Sequence, residues 1–321
     1  MNDSFRSNQS GERATRDARV LFAGLGTMGL PMASNVVRAG FPVAGLDANP
    51  TAVERFAAAG GRTASDADIR EADFIVTMVP DDAAVRAVLG GESGLIARAK
   101  AGAIIIDRST TAPSTKIELA AEARRRGVAF IEAPVGRTME HAIAGTLALM
   151  IGGNPALVEK ARPLLSAMGS ELHLCGDVGA GSALKLINNA LVAAINAASI
   201  EALVAGRKAN LKLETIFSVL KTTMAWNNAL AKALPNKALR RDFKPGFMTR
   251  LQHKDVGLAL QMGRELDVPM PQAQAAYDVL ARAIDTGFGG DDGIGSMLRV
   301  VEAEGGVTLE LAAPAVAVGG G

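Results

Sequence analysis

RVLFAGLGTMGLPMASNVVRAGFPVAGLD, residues 19–47, decides the fold. A short apolar run over 19–23 leads directly into Gly24, Gly26 and Gly29 in GxGxxG spacing. A helical pattern then runs to Arg38 and stops at Gly40. Pro31 lies in the first turn of that helix, where a missing N–H does no harm. A second apolar run, PVAGLD, ends on Asp47. Strand, glycine turn, helix, strand and acid in register form a βαβ unit of the dinucleotide-binding kind, the alternative being a glycine turn in some other α/β domain. The glycines, with Leu25, Thr27 and Met28 between them, allow a tight turn whose backbone meets a pyrophosphate at a helix N-terminus. Asp47 would accept hydrogen bonds from the adenosine ribose hydroxyls and repel a 2′-phosphate, which favours NAD over NADP.

The alternation continues outward. FIVTMVP (74–80) and AIIID (103–107) are near-continuous apolar runs, as strands of a parallel sheet covered on both faces should be. VAFIEAP (128–134), LALMIGG (147–153) and ELHLCG (171–176) supply further strands, with helices expected over 114–126 and 155–168. Ligands of such sheets bind at the carboxyl ends of strands. The loops there are MVPDD (78–82), which contains Val79 and Pro80, DRSTTAP (107–113) and EAPVGRT (132–138). Thr110 either hydrogen-bonds the nicotinamide end of a cofactor or caps the following helix.

After Gly179 the strand signal stops. GAGSALKLINNALVAAINAASIEALVAGRKAN (179–210) reads as one long helix, and further helices are expected over 213–223, 227–233, 249–266, 272–286 and 295–304. The fold class is therefore α/β: a Rossmann-type parallel-sheet domain over 19–178, then an all-α substrate and oligomerisation domain over 179–304, joined by the long helix. Residues 1–18 read as a disordered arm without the apolar segment of a signal peptide, and 305–321 as a flexible tail. The long helix is apolar nearly all round yet carries Lys185 in its first turn, with Asn189, Val192, Asn196 and Ser199 following at helical spacing. Burial and an electropositive helix N-terminus both disfavour a charged amine, and such an amine backed by an amide suits proton transfer. The alternative is a lysine whose tip reaches solvent and asparagines that tie helices together.

Composition bounds the partners. The chain has 321 residues, 49% hydrophobic and 21% charged, which is globular and long enough for two cores. Lys+Arg 34 against Asp+Glu 33 leaves a net charge of +1, without the basic excess of a nucleic-acid binder. Cys175 is the single cysteine, which excludes an intrachain disulfide framework and makes a reducing cytoplasm the default. His141, His173 and His253 lack metal-ligand spacing, so no metal is expected. Polar side chains interrupt the most apolar helix, so no membrane span is expected either. A small helical domain gains burial by stacking on a second copy, so a homodimer or homotetramer is expected.

These stretches together resemble the β-hydroxyacid dehydrogenase family, which includes 3-hydroxyisobutyrate dehydrogenase and tartronate semialdehyde reductase. The likeness spans about 19–304 and rests on GLGTMGLPMASN (24–35), EAPVGRTMEHAIAGTL (132–147), GAGSALKLINN (179–189) and HKDVGLAL (253–260). The resemblance implies NAD(P)-linked alcohol and carbonyl chemistry. It matches Lys185 to the catalytic lysine, Asn189 to an asparagine that helps hold substrate, and Lys254 to a lysine at the cofactor and substrate edge; Asn188 is included with the substrate contacts. One departure stands out: the family's usual Ser-Gly-Gly after Ala-Pro-Val is here Gly136-Arg137-Thr138. An arginine fork, a threonine hydroxyl and the Gly136 N–H suit an anion with three acceptor oxygens. With SELHLCG (170–176), KLINN (185–189), PNKAL (235–239) and VPMP (268–271), this loop looks like the branch that reduces 3-sulfolactaldehyde to 2,3-dihydroxypropane-1-sulfonate with NADH. The alternative is that Arg137 makes a structural salt bridge and the substrate is a carboxylate semialdehyde or 3-hydroxyacid, of the succinic semialdehyde, tartronate semialdehyde or 3-hydroxyisobutyrate type. A non-catalytic nucleotide-binding module on this fold is a further rival, against which Lys185 with Asn189 argues. His141 is expected at the surface or as a cap, Trp226 in packing or lining the cleft, and Arg240, Arg241 and Lys244 on a solvated face.

Overall fold

The structure, a computed structural model, describes residues 17–311. Most of the expected arm and part of the expected tail lie outside the described residues. The chain divides into two compact units, with the boundary between Lys185 and Leu186.

The first unit is built on a nine-stranded sheet. Its elements in order are β1 (Val20–Ala23), α1 (Gly29–Arg38), β2 (Val43–Leu46), α2 (Pro50–Ala58), β3 (Arg62–Thr63), α3 (Asp66–Glu71), β4 (Phe74–Thr77), α4 (Asp82–Leu89), α5 (Leu95–Arg98), β5 (Ile104–Asp107), α6 (Pro113–Arg125), β6 (Ala129–Glu132), β7 (Val135–Gly136), α7 (Met139–Ala144), β8 (Leu147–Gly152), α8 (Pro155–Ser166) and β9 (Gly169–Gly176). The strand order is β3-β2-β1-β4-β5-β6-β8-β7, with β9 paired to β8. From β3 to β6 every pair is parallel, whereas β8 runs antiparallel to β6 and β7. The Rossmann-type parallel sheet expected from the sequence is present and ends in a mixed edge.

The apolar runs are strands buried on both faces. Phe22, Val76, Ile104 and Ile106 face one core with Met32, Val36, Phe56, Leu164 and Leu165 from helices α1, α2 and α8. Leu21, Ile75 and Ile105 face the other, with Val85, Leu89, Ile96, Leu119 and Ala123 from α4, α5 and α6. Period-two alternation sends neighbouring side chains to opposite layers. The chain changes face between β1 and β4, so the crevice of a doubly wound sheet opens at their carboxyl ends, at residues 24–29 and 78–82.

Among its described residues the second unit is helical, apart from a single bridge between Met248 and Asp292. The helix α9, Ala180–Lys208, begins in the first unit and runs into the second. It is followed by α10 (Leu213–Leu220), short π and 3-10 turns between Ala229 and Arg240, α11 (Thr249–Glu265), α12 (Pro271–Ala283), a π turn over Ile284–Phe288, and α13 (Gly293–Gly305). α9 is long and apolar enough to cross a membrane by length and composition alone, and half of its most apolar window, 50%, is buried inside the protein.

Candidate active site

The three glycines of the first loop have three different tasks. Gly24 is left-handed, at φ 96°, and a Cβ there would strike the Met78 carbonyl of the β4 loop. A Cβ on Gly29 would strike the Gly24 carbonyl, while a Cβ on Gly26 would meet nothing within 4 Å. The first and third thus close the turn, and the second leaves open backbone for another molecule to approach. The N-terminus of α1 carries no side-chain cap and no acid in its first turn, so its positive end faces an anion unopposed by a side chain, although Leu30 N already donates to the Gly26 carbonyl at 3.0 Å. Asp47 holds this loop directly: Oδ2 accepts from Leu25 N at 2.6 Å and Oδ1 from Asn49 N at 2.8 Å. Each oxygen retains lone-pair capacity for a ribose hydroxyl. These residues fit a dinucleotide.

The neighbouring loops are locked by a buried ion pair that the sequence did not reveal. Asp107, the last residue of β5, accepts from Thr77 Oγ1 at 2.7 Å and Ser109 N at 3.1 Å. Lys116 of α6 binds the other oxygen of Asp107 and donates to the Ser109 carbonyl at 2.9 Å; both charged side chains are fully buried. The Ser109 hydroxyl accepts from Val79 N at 3.0 Å, so one network fixes the loops bearing Val79, Pro80 and Thr110. Arg108 beside it is the opposite case. Its guanidinium is fully buried, donates to Met168 Sδ, and leaves Nε and Nη2 without a hydrogen-bond partner among the described residues. Burial pushes its pKa down to about 9.

The substrate-loop candidates are placed as follows. Gly136 is buried in β7, opposite Ala148 of β8. Arg137 is left-handed, at φ 78°, a backbone conformation that glycine adopts freely and arginine does not. Its guanidinium donates to the Thr146 carbonyl at 2.6 Å and lies 3.7 Å from Glu171. The salt-bridge alternative raised by the sequence is therefore the arrangement the structure shows for this side chain. The Thr138 hydroxyl bonds Glu140 and lies 3.0 Å from His141 Nδ1, which makes His141 a local partner of the loop.

Lys185 lies in the first turns of α9. The sequence alone sets an electropositive helix end beside Lys185. The structure instead sets the fully buried carboxylate of Glu132 against it, accepting from Gly179 N and Gly181 N. Burial, with the Glu132 charge adding to it, pushes the Cys175 thiol up, so this cysteine is not a reactive thiolate.

In the second unit α9 and α11 bring four polar side chains together. Asn188 Nδ2 donates to Asn189 Oδ1 at 3.0 Å, Asn189 Nδ2 donates to Asp255 Oδ2 at 2.6 Å, and Lys254 Nζ lies 2.8 Å from Asp255 Oδ1. Asp255 is thus the buried acid that hydrogen-bonds Asn189 and pairs by charge with Lys254. It sits inside the quoted HKDVG stretch, where only the lysine was singled out. Trp226 packs edge-on against Phe217, with ring centroids 6.4 Å apart. A concavity of about 740 Å³ elsewhere in this unit is lined by Arg241, Arg282 and Arg299, but each is paired with an acid, Glu302, Glu304 or Asp291. It contains none of the candidate residues and shows no surplus charge. Among the described residues no cluster of His, Cys, Asp and Glu side chains could hold a metal ion.

The chain matches two family models. Residues 19–176 match the NAD binding domain of 6-phosphogluconate dehydrogenase, and residues 179–301 match the NAD-binding domain of NADP-dependent 3-hydroxyisobutyrate dehydrogenase. The chain belongs to the 3-hydroxyacid dehydrogenase family of nicotinamide-dependent oxidoreductases acting on CH–OH groups. It is 39% identical over 296 residues to a 3-sulfolactaldehyde reductase of Escherichia coli (strain K12), covering 92% of this chain and 99% of that one. It is 34% identical over 296 residues to a 2-(hydroxymethyl)glutarate dehydrogenase of Eubacterium barkeri, covering 92% and 98%. Its structure is similar to that of a Mycobacterium tuberculosis 3-hydroxyisobutyrate dehydrogenase solved with L-serine, at a TM-score of 0.81 and 32% identity, covering 88% and 99%.

Proposed function

We propose that this chain catalyses the reversible reduction of a small anionic aldehyde to the alcohol, with NADH preferred over NADPH, and that its substrate is 3-sulfolactaldehyde. The observation that carries the substrate reading is Arg137. A charged fork occupies a left-handed position in the loop that follows β7, where glycine would be free of strain. Strain of about 1–3 kcal/mol persists at such positions where the side chain has a task. The 39% identity to a reductase named for that aldehyde supports the same reading. Asp47 supports the preference for NADH, because its carboxylate repels a 2′-phosphate.

When bound, the reduced nicotinamide supplies the hydride that the carbonyl carbon takes up. Gly24, Gly26, Gly29 and Asp47 would hold the adenosine and pyrophosphate, and Val79, Pro80, Thr110 and Lys254 the nicotinamide side. Lys185 gives a proton to the forming alkoxide oxygen, or accepts it in the reverse direction. Asn189, held by Asp255, orients the substrate hydroxyl together with Asn188. Arg137 and Thr138 grip the anionic end, which fixes the alignment on which much of the rate depends; the Gly136 N–H expected from the sequence as a further donor is taken up by the β7–β8 ladder instead.

A second reading, reduction of a carboxylate semialdehyde, is favoured by the engagement of Arg137 with Thr146 and Glu171. Steady-state kinetics of Arg137→Gly separate the two. The sulfonate reading expects a loss of at least about 100-fold in kcat/KM for 3-sulfolactaldehyde, the scale of a lost charged contact, and a smaller loss for succinic and tartronate semialdehydes. Equal losses on all three reject it. We propose further that the protein is a homodimer or homotetramer, since Ile187, Leu191 and Met224 of the second unit expose apolar surface, Met224 fully, and that it is cytoplasmic, since a chain with one cysteine fits a reducing compartment.

A further inference from the structure

Glu132 is the last residue of β6 and is fully buried. Its Oε1 accepts from Gly179 N at 2.6 Å and from Gly181 N at 2.9 Å, and its Oε2 accepts from the Ser182 hydroxyl. The N–H groups at the start of a helix have no partner within the helix. A carboxylate there makes charge-assisted bonds and is stabilised by the positive end of the macrodipole. Glycines make the room: a Cβ on Gly152 would strike Glu132 Oε1, and a Cβ on Gly181 would strike the Met150 carbonyl. At this point β6, paired with β8 at Gly152, is joined to the start of α9 through one side chain.

Two parts of the proposed site leave this point. The chain after Glu132 runs through Pro134 into the 136–138 loop. Helix α9 reaches Lys185 within one turn of Ser182, and a helix backbone is stiff over so short a distance. We propose that Glu132 is a positioning residue of the reduction: its carboxylate sets the backbone of the Lys185-bearing turn against the origin of the substrate loop, so that proton donor and anion cradle keep one spacing. The proposal rests on the reading of Lys185 as the proton donor. It predicts that reach matters more than charge. Glutamine keeps the reach of Glu132 and can accept from both glycine N–H groups. Aspartate keeps the charge but stops one methylene short.

The test is steady-state kinetics of Glu132→Gln, Glu132→Asp, Lys185→Ala and the double variant Glu132→Gln/Lys185→Ala, with 3-sulfolactaldehyde and NADH. The expected result is a kcat lowered about 10-fold by Gln and about 100-fold by Asp, with KM for NADH changed less than about 2-fold, as for a group displaced by part of an ångström. In the Lys185→Ala background, Glu132→Gln should change the residual rate less than about 2-fold, because the group it places is gone. Aspartate as active as glutamine, a loss confined to KM for NADH, or the full 10-fold drop repeated in the Lys185→Ala background overturns the proposal. Should Glu132→Asp not fold, Ser182→Ala removes one of the three bonds and should lower kcat about 3-fold at unchanged KM for NADH, and an unchanged kcat overturns it. If Lys185→Ala alone turns over like the parent protein, the proton-donor reading itself has failed. If Lys185→Ala is inactive and the Glu132 variants are not impaired, only the positioning role has failed.

Discussion

Replacing Arg108 by methionine should stabilise the protein. The guanidinium is fully buried, and Nε and Nη2 find no acceptor among the described residues. Its hydrogen bond to Met168 Sδ meets only a weak acceptor. Burial pushes the pKa down to about 9, well below the ordinary guanidinium range. At about 1.4 kcal/mol per tenfold, that displacement corresponds to roughly 4–5 kcal/mol against folding. Methionine of similar length fills the same space beside Met168 without a charge, and exchanging a buried ion for apolar packing stabilises by about 1–4 kcal/mol in known cases. The expected gain is therefore about 2–4 kcal/mol at pH 7, which differential scanning calorimetry should read as a rise of about 2–4 °C per kcal/mol. The pH dependence follows from the sign of the shift. The folded pKa lies below the unfolded one, so the penalty is complete below pH 9 and fades as pH rises through it, where the unfolded chain binds the extra proton. The gap in stability between Arg108→Met and the parent should thus narrow above pH 9. A variant less stable than the parent at pH 7, or a gap that widens with rising pH, would refute the reasoning.

The glycine loop supports two opposed predictions. Gly26→Ala should leave thermal stability within about 0.5 kcal/mol, as surface changes do, yet raise KM for NADH at least about 10-fold, since its methyl enters the open space where the cofactor backbone must approach. Gly29→Ala should destabilise by about 2–3 kcal/mol, because its methyl would strike the Gly24 carbonyl and the backbone must shift. Asp47→Ala should narrow the preference for NADH over NADPH and also weaken binding of both, because Leu25 N loses its acceptor; unchanged ratios of kcat/KM for the two cofactors would count against the ribose contact.

The parts of the fold that were legible in the sequence are those with a two-faced or repeating burial requirement. β1, β4 and β5 read as apolar runs because their side chains enter both cores. α9 read as one long helix because nothing in it breaks the pattern before Ala209. The two-residue strands β3 and β7 left no period to detect, and the antiparallel direction of β8 is set by pairing partners far away in sequence. The π turns at 229–233 and 284–288 fall in or against the stretches expected as helix, 227–233 and 272–286, because helical periodicity over five residues does not distinguish π from α winding. Residue types in the candidate site were legible where motif and spacing coincide, at Gly24, Gly26, Gly29, Asp47, Lys185 and Asn189. The partners were not: Glu132, Asp107, Lys116 and Asp255 act through tertiary hydrogen bonds that sequence spacing does not encode. The direction of the Arg137 side chain, toward Thr146 and Glu171, was equally invisible.

The central claim is that the Lys185 amine supplies the proton to the nascent alkoxide. It is tested most directly by single-turnover oxidation of bound NADH with saturating 3-sulfolactaldehyde, comparing the parent with Lys185→Ala, with NADH affinity measured by fluorescence in both. The account predicts a rate lower by about 10²–10⁴-fold, the usual worth of a general acid, at an NADH affinity within about 2-fold of the parent. A single-turnover rate within a few-fold of the parent, at equal affinity, would contradict it.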